Sequence, residues 1–431
     1  MNPSQESSPY PWWQTWSHLS PVAHGLLSTR FLRSIAQGAL TVDFVLYLRY
    51  LHWSAVDIGL LLMISGLVAA ALSLGIGAIS DRVGRRIFLL IYEGGLTIGA
   101  VLVLIFHVTW VLAVVAIVFG FGRGANGASG PFAPAEQAWL AQQIDAKERG
   151  SIFSFNAALG FWGMGIGSLL AGFLPHLSIG SFALPPYDGL FVLTAIVAFL
   201  NYWQIFRLPE TYTPTSSADH FEKKDEEKAQ EQAVTHKENH ALTLLVLINM
   251  VNALGIGLIA PLLPYWFSVR YHVGPAAIGP VYSMAFVLTG IAAVVLGHFS
   301  NRVGLTKSIV GPRLIGIFLL IAMAFMPSFT LAALLYILRS VVNRSSMGAR
   351  QAFSAGLVRN QRRGWATSLN MVSWALPSSI GPAVGGALLG MGSLVLPFLL
   401  ASVLQLSYVV LFSRYLSPFD TVSSAKTAAR P

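Results

Sequence analysis

The stretch Gly77–Arg86, GAISDRVGRR, and its counterpart Gly297–Lys307, GHFSNRVGLTK, decide how this chain folds. Each sits directly behind a long apolar run and each keeps Gly, Arg and Gly in the same relative places, and the two copies lie 220 residues apart. Lys and Arg between apolar runs mark the side of a membrane where loops stay inside the cell. A basic turn repeated at this distance is therefore an internal duplication of a loop between membrane helices.

Composition agrees. Hydrophobic residues make up 55% of the 431 residues and charged residues only 10%, with a mean hydropathy of +0.64. A soluble domain carries roughly 25% charged residues, so this surface is built for lipid. Apolar runs near the ~20 residues that cross the hydrocarbon core occur about twelve times, six on each side of a polar stretch at Leu208–His240. In lipid the backbone has no water to bond, and such runs must be helices. The predicted spans are Gly25–Tyr50, Ile58–Ile79, Ile87–Val108, Trp110–Pro131, Ile152–Leu174 and Leu190–Phe206, then Ala241–Val269, Ile278–Phe299, Ser308–Met326, Leu331–Ala352, Ala366–Leu389 and Val395–Tyr415. The expected organisation is a segment 1–24, a six-helix bundle 25–207, a charged linker 208–240, a second bundle 241–415 and a tail 416–431.

With the amino terminus inside, the inner loops hold Arg82, Arg85, Arg86, Lys147, Arg149, Arg302, Lys307, Arg359, Arg362 and Arg363, while the outer loops hold only Arg49 and Arg270. Both termini and the linker are thus expected to be cytoplasmic, with the protein multi-pass in an inner or plasma membrane. The formal net charge is +9. Outside the linker, 23 basic residues face 10 acidic ones, and their spread over alternate loops is a topology signal, with no stripe for nucleic acid. The first twenty-nine residues hold no Lys or Arg, so no cleavable signal peptide is expected. The chain has no Cys, which excludes disulfides and thiolate metal sites. His236 and His240 have helical metal spacing but sit in the charged linker without a third ligand, so neither a metal nor a cofactor is expected.

The duplication extends further. Arg49-Tyr50 followed by Ile58-Gly59 matches Arg270-Tyr271 followed by Ile278-Gly279. Gly150, Asn156, Ile166-Gly167 and Gly172 match Gly364, Asn370, Ile380-Gly381 and Gly386 at a spacing of 214. Gly-rich stretches such as Gly163–Gly172 read as helix-packing surfaces.

These features resemble the major facilitator superfamily of secondary transporters, over nearly the whole chain from Gly25 to Tyr415. GAISDRVGRR is similar to its best-known loop motif. Arg123-Gly-Ala-Asn126-Gly127 is similar to the family's Arg-x-x-Gln-Gly on the fourth helix, with Asn in place of Gln, and Arg207-Leu-Pro-Glu-Thr211 resembles a common ending of the sixth. The Gly-Pro-x-x-Gly-Gly signature of drug and metabolite proton antiporters is incomplete on the fifth helix, at Gly167–Gly172, but complete on the eleventh, at Gly381-Pro-Ala-Val-Gly385-Gly386. The resemblance implies an all-α membrane protein of twelve helices in two pseudo-symmetric six-helix bundles. It also implies alternating access about a substrate site near the midplane, and a cytoplasmic latch that breaks when the transporter turns inward. By that resemblance the latch comprises Gly77, Asp81, Arg82, Gly84, Arg85 and Arg86, with Glu136 as partner. The second copy, Gly297, Asn301, Arg302 and Gly304, lacks the acid and the later Arg, so the latch is expected mainly in the first half. The bland alternative is a turn that only sets topology.

Ionisable groups inside a membrane are costly and mark function. Arg30, Arg33 and Asp43 on the first helix, Glu93 on the third, Arg123 on the fourth, and Arg339 and Arg344 on the tenth are such groups. At about 100° per residue, Arg30, Arg33, Gln37 and Thr41 form one polar stripe, with Asp43 about a third of a turn away. Arg30 and Arg33 are expected to snorkel to the cytoplasmic surface. Asp43 is the first candidate for proton coupling, against a permanent ion pair with an intramembrane Arg. Arg123 and Glu93 are the others, with Glu93 read as an ion-pair member. Gln37, Thr41, Asn252, Arg339, Arg344 and Trp374 are candidates for the substrate cavity, and Trp162, Tyr265, Trp266, Tyr282 and Trp374 for aromatic walls. No nucleophile and base stand in a catalytic arrangement.

The function expected is secondary-active transport, first as proton-coupled export of a small amphipathic organic compound by a monomer. The rival is movement of an organic or inorganic anion through cavity Arg residues, and the reading from another class is a transporter-like sensor that moves nothing.

Overall fold

Apolar segments in lipid close every backbone hydrogen bond within themselves, and the chain is accordingly a succession of helices. A computed structural model describes residues 19–122, 130–145, 148–179, 182–210, 225–296, 305–345, 350, 353, 357 and 363–416. The helices are α1 Pro21–Tyr50, α2 Ala55–Val83, α3 Arg85–Phe106, α4 Thr109–Phe119, α5 Ala133–Gln142, α6 Arg149–Ala171, α7 Asp188–Arg207, α8 Asp225–Gly257, α9 Leu263–Tyr271, α10 Pro275–Leu296, α11 Leu305–Ala324, α12 Phe329–Ser345, α13 Arg363–Gly390 and α14 Leu396–Leu411. Nine segments of the described residues are long and apolar enough to cross a membrane, and Thr109–Phe119 and Ser308–Ala324 are shorter apolar helices.

Element ends follow local chemistry. Ser20 caps α1, its side chain accepting from the Ala23 amide, and Pro21 occupies the first helical position, where a missing N–H costs nothing. Gly120 closes α4 in the left-handed region at φ 73°. Three features differ from the predicted spans. The helix expected over Trp110–Pro131 closes at Phe119, and a separate helix, α5, follows at Ala133–Gln142 with Pro134 in its first turn, where proline is tolerated. The helix expected from Ala241 already begins at Asp225 in α8. It then breaks at a 3₁₀ turn, Ala260–Leu262, with Pro261 in it, before α9 resumes. A two-residue hairpin also joins α6 to α7, Ser178–Ile179 pairing antiparallel with Phe182–Ala183.

Contacts divide the chain into two compact units. One comprises Met1–Trp53, Val68–Pro214 and Phe267–Val294, and the other Ser54–Leu67, Thr215–Trp266 and Val295–Pro431. In the first unit α1 is clamped against α6 through glycines. A Cβ at Gly38 would lie 2.2 Å from the Met164 carbonyl oxygen, at Gly163 2.5 Å from that of Phe31, and at Gly167 1.8 Å from that of Ile35. In the second unit the glycines of Gly381–Gly386 do the same work. A Cβ at Gly385 would lie 2.0 Å from the Leu258 oxygen, and at Gly386 2.3 Å from that of Ala55. Both Gly-rich stretches are thus surfaces of close helix approach.

Candidate functional site

The first unit holds a buried charge cluster. Arg33 of α1 donates from Nε to Glu93 Oε1 of α3 at 2.6 Å and from Nη1 to Glu136 Oε1 of α5 at 2.8 Å. All three are buried. Asn201 of α7 adds a long bond to the same Glu93 oxygen at 3.5 Å, and the guanidinium lies 5.9 Å from the centre of the Tyr92 ring. Arg30, buried one turn earlier, lies within range of the Glu136 charge. Two cations and two carboxylates thus meet in one dry place, where ionised groups persist only in company.

This corrects the snorkelling expected of Arg30 and Arg33. Both are buried, at 7% and 1% exposure, because helices 60 and 103 residues away in sequence bring carboxylates to the level of Arg33. Those partners replace the water that snorkelling would have sought. Glu93 is therefore a member of an ion pair. Glu136, expected beside the basic turn, is held by Arg33.

Along the same helix, Gln37 bonds the Tyr92 hydroxyl and Thr41 donates to the Gln37 carbonyl at 2.7 Å. Asp43 differs from all of these. It stands ten residues beyond Arg33, roughly 15 Å along the axis, is 0% exposed, and neither carboxylate oxygen has a hydrogen-bond partner among the described residues. Its surroundings are aromatic. The neighbouring Phe44 ring packs edge-on against Phe121 at 5.6 Å, Tyr47 packs against Tyr187 and Phe191 at 5.4 Å each, and Tyr187 lies within range of the Asp43 charge.

The first basic turn is anchored by residues that sequence reasoning did not assign to it. Gly84 precedes α3 at φ 105° and ψ 149°, a region open to glycine. The Arg86 amide donates to Glu210 Oε1 at 3.3 Å, the Arg86 guanidinium donates to the Phe206 carbonyl, and it lies 5.5 Å from the Phe206 ring centre. The end of the sixth span, through Phe206 and Glu210, therefore serves as a strap over the turn. Arg85 is half-buried at the start of α3. Gly77, Asp81 and Arg82 fall within α2, with their side chains outside the described residues, and Arg123, Gly297, Asn301, Arg302 and Gly304 lie outside the described residues altogether.

In the second unit Asn252 of α8 is 0% exposed, and neither of its amide atoms has a partner among the described residues. Nearby on the same helix, Asn249 donates to Asn370 at 2.7 Å, uniting α8 with α13. Arg339 and Arg344 on α12 are half-buried, and Trp374 is 38% exposed. The expected aromatic walls are reduced. Trp266 is buried against Phe398 at 4.5 Å and donates to the Leu394 carbonyl, Tyr282 is buried, and Trp162 fills the space beside Gly290. Sequence reasoning also missed Arg313 of α11, buried 5.6 Å from the centre of the Tyr408 ring. A cation eight residues inside an apolar helix was the available signal. Among the described residues no group of three or more His, Asp or Glu is placed to hold a metal.

Comparison with known proteins places this arrangement. The model of the Major Facilitator Superfamily matches residues 26–243 and 245–431. The chain is 26% identical over 320 residues to the multidrug resistance protein MdtG of Proteus mirabilis, covering 72% of this chain and 73% of that protein. It is 27% identical over 335 residues to MdtG of Enterobacter lignolyticus, covering 76% and 75%. Among solved structures, the xylose transporter XylE of E. coli in an inward open conformation matches with a TM-score of 0.69 at 14% identity, over 94% of this chain and 99% of that one. The nucleoside transporter NupG matches with a TM-score of 0.67 at 14% identity, over 92% and 100%. The chain therefore belongs to the Major Facilitator Superfamily, and it is a multi-pass membrane transporter and not an enzyme.

Proposed function

We propose that the protein is a proton-coupled exporter of small amphipathic organic compounds, working by alternating access between its two six-helix halves as a monomer. Both termini lie in the cytoplasm on this reading, as the distribution of Lys and Arg over alternate loops requires. The observation that carries it is Asp43, a buried carboxyl with no hydrogen-bond partner among the described residues. An ionised group there would be a charge without company, at a cost of several kcal/mol, whereas the neutral acid is tolerated. A carboxyl that must be neutral when enclosed, and can ionise when the protein opens to water, is a proton carrier for a cycle of alternating access. The likeness to proteins named for multidrug resistance supports amphipathic organic compounds as cargo.

The test is proton flux in proteoliposomes during uptake of a lipophilic organic cation such as ethidium, and of neutral amphipathic compounds. Substrate-driven proton movement in the wild type, lost in Asp43→Asn with substrate binding retained, is the expected result. Unchanged coupling in that variant removes Asp43 from the role. Transport of an anion with no proton movement overturns the export reading in favour of anion transport.

A further inference from the structure

We infer that the second unit contains a buried site for a phosphate group, built by Arg313 and Arg350 with Tyr408, where the ligand supplies the negative charge.

The internal duplication leads to it. Ala135-Glu136-Gln-Ala-Trp139 matches Ala349-Arg350-Gln-Ala-Phe353 at the 214-residue spacing of the later repeats, and Glu93 matches Arg313 at the 220-residue spacing of the basic turns. The two carboxylates that hold Arg33 in the first unit are thus replaced by two guanidiniums. Arg33 itself has no basic counterpart, because the spacing of Arg49 and Arg270 carries it to Leu254. The second half has inverted the charge of the outer members and deleted the central one.

The structure brings the replaced positions together. The charges acting on Arg313 are those of Arg350 and Arg339, and Tyr408 lies beside both Arg313 and Arg350. Arg313 is 2% exposed and Tyr408 is 0% exposed, and the guanidinium of Arg313 lies 5.6 Å from the centre of the Tyr408 ring. Arg313 Nη2, Arg350 Nε and the Tyr408 hydroxyl have no hydrogen-bond partner among the described residues. These groups come from α11, α14 and the residues after α12, and α11 packs on both α12 and α14. The cluster gathers two guanidiniums and a phenol with no negative charge beside them among the described side chains.

Between Ala241 and Phe419 the sequence holds no Asp or Glu to neutralise it. Glu238, just before that stretch, is not among the charges acting on Arg313 or Arg350. Asp57 accepts from Ser54 at the start of α2. Burying like charges without a counter-ion costs several kcal/mol for each, so the counter-charge is a ligand. Guanidinium forks match the oxygens of phosphate in pairs, and the Tyr408 phenol supplies a further donor. Arg313 stands eight residues into α11, roughly 12 Å from its first residue, a depth open to inorganic phosphate from the cytoplasm or to the headgroup of an anionic phospholipid of the inner leaflet.

The test uses the full-length protein in phosphatidylcholine nanodiscs and reads thermal unfolding and equilibrium binding of radiolabelled phosphate, neither of which depends on transport or on Asp43. In one arm inorganic phosphate is titrated against chloride at matched ionic strength. In the other, part of the phosphatidylcholine is replaced by phosphatidylglycerol in phosphate-free buffer. A saturable rise in melting temperature in the first arm identifies free phosphate, and in the second the lipid headgroup. Arg350→Gln and Arg313→Gln should weaken half-saturation at least about tenfold each. Arg313→Glu, which restores the carboxylate found at Glu93 in the other half, should supply the counter-charge internally and leave melting insensitive to either anion. If Arg313 variants do not fold, Arg350→Gln decides alone through radiolabelled phosphate or the lipid-dependent shift. No saturable shift in either arm, or a shift equal in chloride or unaltered in Arg350→Gln, overturns the site.

Discussion

Arg33 Nε donates to Glu93 Oε1 at 2.6 Å, with both residues shielded from solvent, and the same guanidinium reaches Glu136 through Nη1 at 2.8 Å. One cation therefore ties α1 to α3 and α5. Removing one member of a buried pair leaves its partner an uncompensated charge, at about 3–5 kcal/mol. Arg33→Met and Glu93→Gln should each lower the thermal unfolding temperature sharply. The quadruple variant Arg30→Met, Arg33→Met, Glu93→Gln, Glu136→Gln should lose much less than the sum, because no orphaned ion remains. Additive losses would show that the four do not act as one cluster.

Glycines separate close helix contact from mere composition. Gly167→Ala would press a methyl 1.8 Å from the Ile35 oxygen and should destabilise by about 1–3 kcal/mol, the cost of overpacking. Gly75 also lies inside a helix, but a Cβ there meets nothing within 4 Å. Alanine there should be neutral or gain up to about 1 kcal/mol of helix propensity. Comparing the unfolding of the two variants in one detergent checks both directions.

The basic turn depends on the strap formed by the end of the sixth span. At Gly84, with φ 105° and ψ 149°, a side chain would be strained and would also meet the Glu210 carboxylate at 2.4 Å. Gly84→Ala should therefore cost about 1–3 kcal/mol. Glu210→Ala removes an acceptor from the Arg86 amide and should cost about 1 kcal/mol. If the two groups act on the same contact, combining the substitutions should give less than the sum. Thermal unfolding of the two singles and the double measures that coupling.

How much of this was legible in the sequence depends on the length scale of the signal. Membrane helices, the duplication and the packing role of Gly163–Gly172 are written locally, in apolar length and in glycine spacing. The separate helix α5 after the predicted end at Pro131 was missed, although a proline in the first turn, Pro134, is compatible with a helix. The partners of Arg33 lie on other helices, and nothing near Arg33 names them. Isolation is equally non-local, so a lone carboxyl at Asp43 and a lone carboxyl at Glu93 look alike in the sequence, yet one is partnered and the other is not. Arg350 became meaningful only when the structure set it beside Arg313 and the repeat set it against Glu136.

Topology can be read with single cysteines, since the chain has none of its own. Gly274 is exposed and a Cβ there meets nothing, and it lies in a loop assigned to the outer side by the Lys and Arg distribution. Asp145, also exposed, lies in a loop assigned to the cytoplasm. Gly274→Cys should react with a membrane-impermeant maleimide in intact cells, and Asp145→Cys only after permeabilisation. The reverse pattern would invert the protein and with it the direction of transport.

Asp43 offers a separation of stability from function. A buried polar group without a partner lowers stability, and its replacement by an apolar group of similar size is neutral or favourable. Asp43→Leu should therefore leave the unfolding temperature unchanged or raise it, and Asp43→Asn should stay within about 0.5 kcal/mol of the wild type. Both should abolish substrate-driven proton flux, because neither side chain can carry a proton. A protein keeps a carboxyl that weakens its own fold when the cycle needs that carboxyl. A marked loss of stability in Asp43→Leu would instead reveal a polar partner for Asp43, and the lone-carboxyl argument for proton coupling would fall with it.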